Sequence, residues 1–263
     1  MDSNERERRR QRRYREAMRN RGIAAVVLVI LIVGVIFIVK GCKKEDTPPA
    51  DGQQQQQEQT GTPEDATPET PVNVDDELLT VVNPWNPLPE DWVSDLVTLS
   101  DGRRVDSRCY EAFEEMMDAC RDAGYAPFLC SAYRTQETQQ SLYDNKVQRL
   151  INSGMGEDEA KVEAAKTVAI PGTSEHQLGL AVDIVDANMQ DLTDEQENTE
   201  TQKWLMANSW RYGFIHRYPN DKTDITGIIY EPWHYRYVGK AAAQDIFNRD
   251  ITLEEYTGKT NQS

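Results

Sequence analysis

An α+β fold is predicted for this 263-residue chain, in one domain running from residue 78 to residue 263. Three observations carry that prediction. Apolar residues recur at helical steps in some stretches and alternate as in strands in others. The two patterns do not take turns as a doubly wound parallel sheet requires. The first third of the chain has the composition of an anchor and a tether, with nothing to make a core.

Charge divides the chain. Residues 1–44 carry twelve Lys and Arg against four Asp and Glu, yet the net charge of the whole is −16, so everything after Lys44 is strongly acidic. An acidic globule argues against nucleic-acid binding. Residues 1–22 form a basic segment with nine arginines, among them Arg8, Arg9, Arg10, Arg12 and Arg13. Residues 23–39, IAAVVLVILIVGVIFIV, hold no charge. As a helix they would reach about 25 Å, enough to span a bilayer core. The positive-inside rule keeps such an N-terminus cytoplasmic and the remainder extracytoplasmic, so a single-pass cell-membrane protein is expected. The rivals are a cleaved signal peptide, a lipoprotein signal ending at Cys42 and a buried helix. Against the first, no small-x-small site follows; against the second, Lys40 sits where a small or apolar residue belongs. Residues 40–77, rich in Pro, Thr, Gln and acidic side chains, read as a disordered linker.

The domain opens with a Pro- and Trp-bearing strap, VVNPWNPLPEDW. In VDSRCYEAFEEMMDACRDAG, Cys109, Phe113, Met116, Met117 and Cys120 recur at three- and four-residue steps, an amphipathic helix stopped by Gly124. PFLCSAYR suits a buried strand. Thr135 to about Lys166 is helical again, broken near Ser153–Gly156. LGLAVDIVD alternates as a strand, Trp204–Tyr212 reads as a further helix, and EPWHYRYVG as a last strand. Cys109, Cys120 and Cys130 lie in the exported part, where a bridge and free buried thiols are both open readings. Cys109 and Cys120 are about 16 Å apart along one helix, so any bridge would use Cys130.

Only three histidines occur: His176, His216 and His234. His176 lies in a polar turn, and seven residues later Asp183 falls inside an apolar strand. There it shares a face with Ala181 and Val185, opposite Leu180, Val182 and Ile184. Burying that carboxylate needs compensation, and a cation is one efficient form of it. Glu231 and His234 stand three apart, on opposite faces of an ideal strand. A turn or bulge at Pro232 is therefore required to bring both to one site. Two imidazoles and one carboxylate leave a fourth position for water, the pattern of catalytic zinc, with Glu231 as its base. Taken singly, each of these residues could be a satisfied structural group, and together they could be a buried polar network. Asp186 is open as a partner for a ligand imidazole or as a loop carboxylate.

The blocks FLCSAYRTQETQ, PGTSEHQLGLAVDI, YGFIHRYP and TGIIYEPWHYRYVG resemble the VanY-like and LdcB-like family of zinc D-alanyl carboxypeptidases, from about Trp85 to Val238. The resemblance implies a Hedgehog/DD-peptidase-like catalytic domain holding one Zn2+ per chain. It puts the metal ligands at His176, Asp183 and His234 and the general base at Glu231. It implies a substrate too: peptidoglycan stem peptides ending in D-alanine, cut by D,D- or L,D-carboxypeptidase action. Arg134 matches the family's arginine, able to fork onto a terminal carboxylate and polarise the scissile carbonyl, helped by Gln139 and Ser174. Tyr218 and Trp233 look like pocket-lining aromatics, with core packing as the other reading. No ligand role falls to His216. The alternatives are a stem-peptide endopeptidase and a non-catalytic zinc-containing wall-binding module, the latter having no need of Glu231.

Overall fold

The computed structural model describes residues 77–260. The expectations for residues 1–22, 23–39 and the linker 40–77 fall outside the described residues, apart from Glu77. Among the described residues no helix is long and apolar enough to cross a membrane.

After a 3-10 turn, Glu77–Leu79, and the strap comes a two-stranded hairpin, β1 (Leu96–Thr98) with β2 (Arg104–Asp106). Helix α1 (Ser107–Asp122) follows directly, capped by Asp106, whose carboxylate accepts from the Arg108 backbone N–H at 3.0 Å. Its apolar stripe is the one the sequence spaces out: Cys109, Phe113, Met116, Met117 and Cys120 are all buried. Strand β3 (Pro127–Ser131) leads to helices α2 (Gln136–Asn152) and α3 (Glu157–Thr167), parted at 153–156 as predicted. Strand β4 (Ala181–Asp186) starts later than the alternation suggests, because a 3-10 turn, Glu175–Leu178, occupies the preceding residues. Gly179 ends that turn in the left-handed region at φ +77°. A Cβ there would stand 3.1 Å from Leu96 and 3.2 Å from Asp106.

Helix α4 (Glu200–Asn208) begins before Trp204 because Thr199 caps it, its side chain accepting from the Gln202 N–H; a 3-10 turn, Ser209–Tyr212, completes the predicted stretch. Strand β5 (Phe214–Tyr218), helix α5 (Thr223–Thr226), strand β6 (Glu231–Tyr237) and helices α6 (Lys240–Arg249) and α7 (Leu253–Thr257) follow.

The main sheet is antiparallel with order β3-β4-β6-β5. Leu180, Val182 and Ile184, with Phe214 and Tyr235, join α1 and Leu205 of α4 in one apolar core. The opposite face of the two central strands carries Asp183 and, directly across from it in register, His234. Two irregularities shape that face. β3 slips by one residue against β4 between Leu129 and Ser131, and β5 slips against β6 between His216 and Tyr218, where Pro232 and Trp233 fall. Pro232 is thus tolerated in a central strand because it sits in the irregularity. The three cysteines described are free thiols; Cys109 and Cys120 lie in the core, where burial pushes both up to about 12.

Candidate metal and catalytic site

His176 comes from the 3-10 turn, Asp183 from β4 and His234 from β6, and one donor atom from each lies within 4.8 Å of the others. All three are buried. Asp183 stands between the imidazoles: Oδ2 is 3.2 Å from His176 Nε2 and Oδ1 is 3.0 Å from His234 Nδ1. The two rings meet edge to face with centroids 4.9 Å apart.

Each ring turns its other nitrogen to an acceptor. His176 Nδ1 lies 2.8 Å from the Ala132 carbonyl, so it carries the proton and leaves Nε2 free to bind a metal. His234 does the reverse, with Nδ1 toward Asp183 and Nε2 facing Glu175 Oε2 at 3.4 Å. The donor set fits zinc: two imidazole nitrogens of opposite tautomer and one carboxylate, with Glu231 alongside. The bulge at Pro232 delivers Glu231 as required, its Oε2 3.7 Å from His234 Nδ1.

Electrostatics agree with a cation site. Burial raises the Glu231 carboxyl to about 8, with the neighbouring Asp183 and Glu175 adding to the rise. Burial, then the nearby Arg134 charge, lowers His176 to about 4, so its ring is neutral. Burial works to lower His234 as well, but Asp183, Glu175 and Glu231 outweigh it and lift the ring to about 9. Three carboxyl groups gather round one imidazole, a setting in which a divalent ion could take the place of the imidazole's extra proton.

Arg134 reaches the cluster from the end of β3. Its Nη2 donates to Asp183 Oδ2 at 2.7 Å and its Nε to Ser131 Oγ at 2.9 Å. It also lines a cleft of about 380 Å3 with Trp92, Ser94, Tyr133, Gln136 and Gln177. Gln139 was expected to help Arg134 meet the substrate. Gln139 is fully buried, its amide donates to the Ala169 carbonyl at 2.7 Å, and its oxygen faces Arg134 Nη1 at 3.4 Å. It braces the arginine because the first turn of α2 points it inward, behind the cleft.

Ser174 is buried immediately before the 3-10 turn. Tyr218 packs its ring on His234 at 4.8 Å between centroids, with the Arg217 guanidinium 4.9 Å from the same ring. Trp233 is buried within the β6 irregularity. His216 stays out of the cluster, its Nε2 donating to the Glu231 carbonyl at 3.1 Å. Asp186 hydrogen-bonds Thr201 and Asn188 and serves its own loop.

Glu175, Arg217, Arg236 and Glu254 were not foreseen from the sequence: Glu175 faces His234, Arg217 and Arg236 pair with Glu175, and Glu254 pairs with Arg217. The signal was present: Arg217 and Arg236 interrupt apolar strands just as Asp183 does, at the same cost of burial.

An antiparallel sheet carrying Asp183, His234 and Glu231, with His176 supplied by the adjoining 3-10 turn, defines the zinc carboxypeptidase class. Residues 102–240 match the family model VanY, D-alanyl-D-alanine carboxypeptidase. The chain belongs to that family. A D-alanyl-D-alanine carboxypeptidase of Enterococcus faecalis (strain ATCC 700802 / V583) is 47% identical over 178 residues, which is 68% of this chain and 65% of the relative's length. VanYB in complex with D-alanine-D-alanine matches with TM-score 0.64 and 46% identity, covering 70% of this chain and 98% of that one. A variant of the vancomycin-resistance D,D-pentapeptidase VanY from a VanB-type cassette, in complex with Zn(II), matches with TM-score 0.62 and 46% identity, covering 68% of this chain and 97% of that one.

Proposed function

We propose that this protein hydrolyses the last peptide bond of peptidoglycan stem peptides and releases their C-terminal D-alanine. The observation that carries the reading is Glu231 Oε2 standing 3.7 Å from His234 Nδ1, beside three residues able to hold one zinc ion. The dipeptide bound to VanYB supports the substrate class.

When bound, zinc supplies Lewis-acid chemistry and brings the pKa of a water to about 7. His176, Asp183 and His234 would hold it. Glu231 takes a proton from the attacking water and returns it to the nitrogen of the departing D-alanine. Its burial favours the neutral acid and so assists the first transfer, the uptake of the water's proton. Arg134, braced by Ser131 and Gln139, offers its fork at the border of cleft and cluster, where it meets the terminal carboxylate or the scissile carbonyl. Ser174 and the rings of Tyr218 and Trp233 complete the surroundings assigned to the substrate. The uncharged run 23–39 behind nine arginines supports a single-pass anchor with this domain on the outer side, where the wall lies.

The test uses the full-length protein in detergent with zinc and synthetic stem peptides, read by mass spectrometry. A pentapeptide ending in D-alanyl-D-alanine should lose one D-alanine, and Glu231→Ala should lower kcat by about 10²- to 10⁴-fold. Release from neither pentapeptide nor tetrapeptide, or a Glu231→Ala variant as fast as wild type, would overturn the proposal.

A further inference from the structure

Behind the metal-binding face lies a second set of charges that the reaction itself does not use. Glu175, Arg217, Glu254 and Arg236 all have side chains with 0% exposure. Arg217 donates through Nε to Glu175 Oε1 at 2.8 Å and through Nη1 and Nη2 to the two oxygens of Glu254 at 2.8 and 2.5 Å. Arg236 donates through Nη1 to the same Glu175 Oε1 at 2.7 Å, and through Nη2 to the carbonyls of Leu78 and Thr80 at 3.0 and 2.8 Å. Asn83 of the N-terminal strap donates its side-chain amide N–H to Glu254 Oε1 at 3.0 Å. Two arginines and two glutamates balance.

The division of labour on Glu175 is uneven. Oε1 receives both arginines, whereas Oε2 has no hydrogen bond within ordinary geometry and faces only His234 Nε2, which has none either. Two buried polar atoms left over from otherwise complete networks, 3.4 Å apart and aimed at each other, form a built contact that a small approach would close. Glu175 precedes one ligand, His176, in the chain, but its carboxylate serves the other.

We propose that Glu175 is a positioning residue for the metal site: clamped by Arg217 and Arg236, it takes the proton-bearing Nε2 of His234 and so presents Nδ1 to the ion. The inference rests on the zinc reading above and extends it to residues outside the ligand set. The two histidines then bind through different nitrogens, His176 through Nε2 because Ala132 holds its Nδ1–H, and His234 through Nδ1 because Glu175 holds its Nε2–H.

The test has two arms on the full-length protein. In the first, the wild type labelled with ¹⁵N at histidine is loaded with zinc and its imidazole nitrogens are read by NMR; only three rings contribute. The expected result is a protonated Nε2 and a metal-bound Nδ1 for His234, and the opposite for His176. A His234 ring bound through Nε2 overturns the proposal. In the second arm, zinc affinity is measured by competition with a chromophoric chelator. Glu175→Gln should bind about tenfold more weakly and Glu175→Ala about a hundredfold more weakly. Folded variants that bind as tightly as wild type overturn it. If removing the carboxylate unfolds the chain, the first arm decides alone. Wild type that binds no zinc overturns the zinc reading itself, a failure told apart by occurring before any substitution is made.

Discussion

His216 shares a strand with Arg217 but answers to a different constraint. Its Nε2–H supports the Glu231 carbonyl, and the rings of Tyr230 and Tyr235 lie 5.9 and 6.0 Å away, centroid to centroid. Burial, against the small opposing pull of that carbonyl, lowers its pKa to about 4. The unfolded chain therefore takes up this proton near pH 6.5 while the folded one refuses it until about pH 4. Stability from this group is complete above 6.5 and drains as pH falls through that window. His216→Gln, which keeps a donor for the carbonyl, should flatten the stability loss between pH 6.5 and 4 by up to about one proton per chain. Urea titrations of both proteins across that range check it, and parallel curves would remove the assignment.

At the scale of elements, the site depends on interruptions of regular structure. The ligand aspartate was legible because an apolar strand surrounds it, and the β4 residues Val182 and Ile184 do enter the core. The Glu231–His234 pair was legible only as a demand for a bulge, which the slipped register of β5 and β6 meets. Strand β5 was not legible: FIHRY places a histidine and an arginine among three apolar residues, and only tertiary partners make that a buried strand. The hairpin of β1 and β2, three residues a side, was too short to show a period. Gly179 turns the chain from His176 into β4, in a conformation other residues resist and with no room for a Cβ. Gly179→Ala should cost more than about 1 kcal/mol in chemical denaturation. A variant as stable as wild type would show that the turn has another way to form.

For the molecule as a whole, the sequence reading named the three candidate metal residues that the fold brings together but left out their support. Periodicity flags a charge that is hard to bury, yet it does not say which distant charge will neutralise it. Glu175 and Arg236 are 61 residues apart, and Asn83 and Glu254 are 171 apart, so no local pattern joins them. The bond from Gln139 to the Ala169 carbonyl, 30 residues away, was out of reach of the motif for the same reason. The chain's two charge regimes make a separate prediction at this scale. The full-length protein, expressed in a bacterial host, should sediment with membranes and stay there through a high-salt wash, whereas a form starting at residue 78 should be released. Recovery of the full-length form in the soluble fraction would remove the anchor.

The contact between Asn83 and Glu254 also sets a timetable. The strap emerges from the ribosome long before α7 exists, and Arg217 can find both of its acid partners only when residue 254 has been made. A polypeptide halted at the end of β6 would own all three candidate metal residues and Glu175 with both its arginines, yet leave the second acid partner of Arg217 unmade.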